Sequence, residues 1–121
     1  MRYLALIHSD EQAWAALPDD ERTAIYARYR AFVDDATAAG KLVEGYELQP
    51  TATATTVRVV DGKTVVTDGP FAELREQIAG YFVLDCVSFD EALELAARIP
   101  GAAHGAVEVR PSYVDEEEAA A

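Results

Sequence analysis

The stretch D-G-P-F-A-E-L-R-E-Q-I-A-G-Y-F, Asp68 to Phe82, places a turn, a helix-start signal and the beginning of a strand side by side. How it is read decides how the elements on either side connect. Asp68 carries the short acceptor side chain that favours turns and caps, Pro70 suits a first helical turn, and Glu73 is favourable near a helix's positive end. The composition therefore predicts a short helical segment over P-F-A-E-L-R-E with Asp68 as its cap. The alternative gives Asp68 a chemical role, as general base or ligand acceptor at a cavity rim. Beyond the turn, Ala79 to Val87 is an apolar run of strand length.

Upstream, T-V-R-V-V-D-G-K-T-V-V-T reads as a β-hairpin. Asp61-Gly62 is a two-residue turn signal, because a type I′ turn needs positive φ at both positions. In that register Val57, Val59, Thr64 and Val66 share one face and Arg58, Lys63 and Thr67 the other, so a single face is expected to be buried. Leu42 to Leu48 is a further strand. The acids Asp19, Asp20 and Glu21 favour a helix start, and Ile25, Tyr29, Phe32, Val33 and Ala36 make one apolar stripe that ends at Gly40. Tyr3 to Ile7 is a short apolar run without helical spacing, predicted to be a central strand buried on both faces. Ser9 and Gln12 have capping-box spacing for a short helical turn anchored by Trp14.

Downstream, Ser88 and Glu91 open a second helix, with Phe89, Ala92, Leu93 and Ala96 expected on its buried face and Pro100-Gly101 ending it. The last strand, A-V-E-V-R, alternates: Val107 and Val109 point one way, Glu108 and Arg110 the other. With the hairpin set aside, the order is strand, helix, strand, strand, helix, strand. That is the ferredoxin-like βαββαβ plan of the α+β class, helices on one face of an antiparallel sheet. Residues 1–113 form one domain, and 114–121 read as an acidic, fraying tail.

The chain has 121 residues, half of them apolar, and a net charge of -12. Acids outnumber bases even without the run Asp115 to Glu118, which argues against binding a phosphate backbone, so no nucleic-acid partner is expected. A single cysteine, Cys86, excludes an intrachain disulfide and reads as a small buried hydrophobe in a reducing, cytoplasmic setting. No apolar run reaches membrane-spanning length, and the N-terminal one is too short for a signal peptide. A domain of this size gains from burial in a partner subunit, so a homodimer is expected.

The segment D-G-P-F-A-E, the following G-Y-F-V-L and the closing E-V-R-P resemble the YCII-related family, in its DGPF-type branch, from M-R-Y-L-A-L-I onward. The resemblance implies a dimeric α/β-barrel in which the helix-free faces of two sheets enclose a shared cavity. Where that branch usually continues Thr-Lys-Glu, this chain has Leu74-Arg75-Glu76. A helix histidine proposed as catalytic in the YCII-like branch corresponds to Tyr29 here. The resemblance further implies either a cofactor-independent enzyme for a small polar or anionic molecule, or a ligand- or protein-binding module linked to a sigma factor.

Candidate site residues follow from these placements. His8 closes the first strand at the mouth of such a barrel and His104 precedes the last; each imidazole can exchange a proton near neutral pH. His8 is the stronger catalytic candidate, with Asp68 as the second. Tyr81, Glu108 and Arg110 are the substrate-binding candidates, and Tyr3 is a further hydroxyl for the same cavity. The plainer alternatives are an interface ion network for Glu108 and Arg110, packing for the tyrosines and a surface position for each histidine. Two separated histidines and one cysteine make no metal signature, and no Gly-rich phosphate loop or nucleophile elbow occurs. Neither metal nor cofactor is expected.

Overall fold

Strand β1 (Arg2–Ser9) alternates in its surroundings as well as its direction. In the computed structural model, which describes residues 1–113, Tyr3, Ala5 and Ile7 enter the core while Leu4, Leu6 and His8 stay half-buried on the opposite face. The strand is central, as predicted, but only one of its faces is sealed within the protomer. Tyr3 is corrected by the same alternation: it is buried in the core against Phe89, ring centroids 5.8 Å apart, and does not line an open cavity.

Helix α1 (Glu11–Ala16) is capped by Asp10, whose carboxylate accepts from the amides of Gln12 and Ala13 at 2.9 and 3.2 Å. Ser9 does not cap it, because Ser9 is still paired with Gln77 in the β1 ladder. Helix α2 (Asp19–Ala38) buries Ile25, Phe32 and Ala36, the predicted stripe, with Tyr29 and Val33 packed at its edge. It ends at Gly40, at φ 72°.

Strand β2 (Leu42–Glu47) leads through a 3-10 turn at Thr51–Thr53 into β3 (Thr55–Val60) and β4 (Lys63–Asp68), then β5 (Gln77–Asp85). Helix α3 (Phe89–Ala97), a short α4 (Gly101–His104) and β6 (Ala106–Pro111) complete the described chain. Ser88 caps α3 by accepting from the Glu91 amide at 3.1 Å. The buried residues of α3 are Ala92, Leu95 and Ala96, whereas Phe89 and Leu93 are 42 and 43% exposed. The stripe is thus shifted from the one predicted: Ala92 and Ala96 are kept, and Leu95 takes the place expected for Phe89 and Leu93.

The main sheet runs β2-β5-β1-β6 with every neighbour antiparallel. This is the ferredoxin-like strand order once β3 and β4, which pair only with each other, are set aside. The core between sheet and helices holds Ile7, Phe32, Phe82, Leu84, Leu95 and Ile99. Each such side chain contributes roughly 1.5–3 kcal/mol on leaving water. Among the described residues no helix is long and apolar enough to cross a membrane. The acidic run from Asp115 lies outside the described residues.

Asp61 and Gly62 turn the β3–β4 hairpin with φ of 50° and 77°, as the type I′ signal requires. Val57 faces Val66 and Val59 faces Thr64, the expected register. The expected burial of that face is corrected: Val57, Val59 and Val66 are 61, 71 and 61% exposed. The hairpin leaves the body of the protomer, so no layer among the described residues covers it.

Candidate active site on the open sheet face

Helices cover one side of the main sheet, and the register determines what stands on the other. Tyr46, Tyr81, Leu6 and Glu108 are successive cross-strand partners, and Glu44, Val83, Leu4 and Arg110 form the next row. Alternation puts both rows opposite the core residues Ala5, Phe82 and Leu84. Tyr81, Glu108 and Arg110 therefore share one surface, with an apolar floor of Leu4, Leu6 and Val83 that is only half-buried. The Tyr46 and Tyr81 rings lie 6.1 Å apart at 50°.

His8 sits at the end of this surface, just past an irregularity in the β1–β5 register between Ile7 and His8. Its Nε2 is 3.1 Å from Oε1 of Glu108. The imidazole is 21% exposed and the carboxylate 49%, so the histidine is sheltered while its partner remains wet. Such a carboxylate accepts from the ring N–H and holds the ring in one orientation. Arg110, exposed two residues along β6, adds a permanent positive charge and a planar fork of donors suited to an anion.

Asp68 stands apart from this group. It is the last residue of β4, opposite Thr55 and exposed, in the separate two-stranded sheet. The predicted helix after it is absent: residues 69–76 form an irregular loop, so Asp68 caps nothing. That loop is held by the Gly69 amide donating to the Ala54 carbonyl at 2.8 Å, Thr56 Oγ1 donating to the Gly69 carbonyl at 2.8 Å, and Gln77 Nε2 donating to the Leu74 carbonyl. Phe71 projects from the loop, 75% exposed, with the Arg58 guanidinium 4.9 Å over its ring.

The other expected residues also fall outside the open face. Tyr29 lies on the helix side against Phe82, ring centroids 6.5 Å apart. Burial raises its hydroxyl above the usual phenol range, with the Gly101 backbone amide pulling the other way. His104 closes α4 and lines a hollow of about 560 Å³ with Arg28, Asp35 and Arg98 on the helix side of the sheet. There Arg98 pairs with Asp35 at 3.5 Å, and no histidine–carboxylate contact forms as it does at His8. Cys86 is buried in the core. Tyr46 and Glu44 are residues of the open face that sequence reading missed; strand alternation in β2 offered a face, and the β2–β5 register was needed to say which one.

A four-stranded antiparallel sheet, covered by helices on one side and bearing a histidine–carboxylate pair beside an arginine on the other, defines an α+β protein of ferredoxin-like plan. The chain belongs to the YCII-related family: residues 1–114 match the family model described as the YCII-related domain. It is 39% identical over 113 residues to an uncharacterised protein of Rhizobium meliloti (strain 1021), covering 92% of this chain and 91% of that one. Among solved structures it is similar in fold to the 5-chloro-2-hydroxyhydroquinone dehydrochlorinase TftG of Burkholderia phenoliruptrix AC1100, in complex with 2,5-dihydroxybenzoquinone. That similarity has a TM-score of 0.55 at 14% identity and covers 97% of this chain and 98% of the other.

Proposed function

We propose that this is a cytoplasmic, homodimeric protein of the DGPF-type branch, in which two open sheet faces meet and enclose a site for a small polar or anionic molecule. The observation that carries the reading is the 3.1 Å contact between His8 Nε2 and Glu108 Oε1, beside Arg110 and over an apolar floor. A small molecule with one ionised oxygen fits Arg110, and its flat apolar part fits Leu4, Leu6, Tyr46 and Tyr81. His8 takes a proton from a bound hydroxyl or activated C–H group, and Glu108 holds the ring in place for that transfer. The dehydrochlorinase, solved with a small oxygenated ring, supports this substrate class by fold alone.

Binding of hydroxylated aromatic acids and quinones, followed by calorimetry, tests the reading. Arg110→Gln is expected to weaken binding at least tenfold, and His8→Gln to abolish turnover while leaving binding within a few fold. Affinity indifferent to Arg110, or failure of the wild type to bind any of these compounds, would sink it. Light scattering that shows a monomer at micromolar concentration would do the same.

A further inference from the structure

The β3–β4 hairpin is the part of the protomer least explained by its own contacts. Among the described residues its strands pack extensively only with each other. A two-stranded ribbon is marginally stable in water and needs another layer on its apolar face. Here Val57, Val59 and Val66 share that face while 61 to 71% exposed, and Val60 and Val65 on the reverse are 49 and 42% exposed. Large contiguous apolar patches on a soluble protein mark interaction sites, and the three valines of one face make such a patch here.

Two further observations identify what covers it. Residues 55–68 carry Arg58 and Lys63 against Asp61 and Asp68, so this segment is neutral in a chain whose net charge is -12. Two copies of so acidic a chain repel wherever their general surfaces meet, and least at this arm. The second is size: a stable interface buries roughly 800 Å² on each partner, and an exposed apolar ribbon from each copy adds to what the open sheet face offers.

Resting on the dimer reading above, we infer that the hairpin is an arm that lays its Val57–Val59–Val66 face on the body of a second copy and helps to close the shared cavity. Thr55 and Asp68 lie on the same face of the ribbon, so the arm directs the Asp68 carboxylate toward the second copy.

The stem makes the test direct. The Gly69 amide already donates to the Ala54 carbonyl at 2.8 Å, so the arm can be removed and its ends joined by a short glycine link without stretching the body. The full chain, the armless chain and a Val57→Ser/Val59→Ser/Val66→Ser variant would be compared by sedimentation across a dilution series. Hydrogen exchange of the 55–68 amides would be followed at high and low concentration. The expected result is a dimeric full chain, a dissociation constant raised at least tenfold in both altered chains, and arm amides protected only at high concentration.

A dimer of unchanged strength in both altered chains overturns the arm while leaving the sheet-face dimer standing. Protection independent of concentration shows an arm folded onto its own protomer and also overturns it. A full chain that is monomeric at every concentration removes the dimer reading and the arm together.

Discussion

Asp68 closes β4 as an exposed residue, and the hydrogen bonds that shape the loop after it come from Gly69, Thr56 and Gln77. Had it capped a helix, Asp68→Ala would cost about 0.5–2 kcal/mol and Asp68→Asn much less. With no helix to cap, both substitutions are expected to change stability by under about 0.5 kcal/mol. Urea unfolding monitored by circular dichroism distinguishes the cases, and a loss confined to Ala would restore the cap. Gly45 carries the opposite expectation. A Cβ there would run into the Phe82 ring and approach the Tyr81 carbonyl to 2.7 Å, so Gly45→Ala is expected to destabilise by about 1–3 kcal/mol. Nothing in L-V-E-G-Y-E marks this glycine as special, because the obstacles, Tyr81 and Phe82, lie far along the chain on β5. Asp68 was misread for a related reason: D-G-P suits a capped helix and a strand-to-loop turn equally well, and only the ladder to Thr55 selects the second.

Helix α2 and strand β2 are tied at their exposed margin by Tyr26, whose hydroxyl donates to Glu47 Oε1 at 2.6 Å. That bond to a carboxylate, with burial adding to it, pushes the Tyr26 pKa up to about 12. The phenol must keep its proton to donate. Its contribution to stability is therefore complete below the ordinary phenol value of 10 and fades as the pH rises from there to about 12. Wild type is expected to be more stable than Tyr26→Phe at pH below 10 and to lose that margin above it. Equal margins on both sides of that range would show that the bond does not matter in solution. At the other end of the molecule Glu91 binds the Val87 amide at 3.3 Å and Lys41 at 3.3 Å, which holds its carboxyl below the usual range. This tie works in the reverse direction, present above the ordinary carboxylate value and lost as the pH falls through the lowered one. The Ser88–Glu91 spacing was legible because a cap is local, whereas Tyr26 and Glu47 meet only after the helix has folded onto the sheet.

The whole protomer is one helix-covered sheet with an arm, and substitutions should report which part they touch. Leu84, fully buried on the central strand β5, touches the core between sheet and helices, and Leu84→Ala is expected to cost about 2–5 kcal/mol. A loss under 1 kcal/mol by thermal unfolding would mean that the core collapses to fill the space. The strands, the two long helices and the hairpin were readable along the chain because alternation in A-V-E-V-R, the stripe from Ile25 to Ala36 and the Asp61-Gly62 turn are set by neighbours a few residues apart. The same locality placed Glu108 and Arg110 together on one side of their strand. Three matters required the folded chain: that His8 meets Glu108 across 100 residues, that Tyr3 turns into the core, and that the valines of the hairpin face outward. Periodicity tells which residues share a face. Which face is covered depends on where distant segments pack, and that is decided by the competition for buried area among elements the local pattern cannot see.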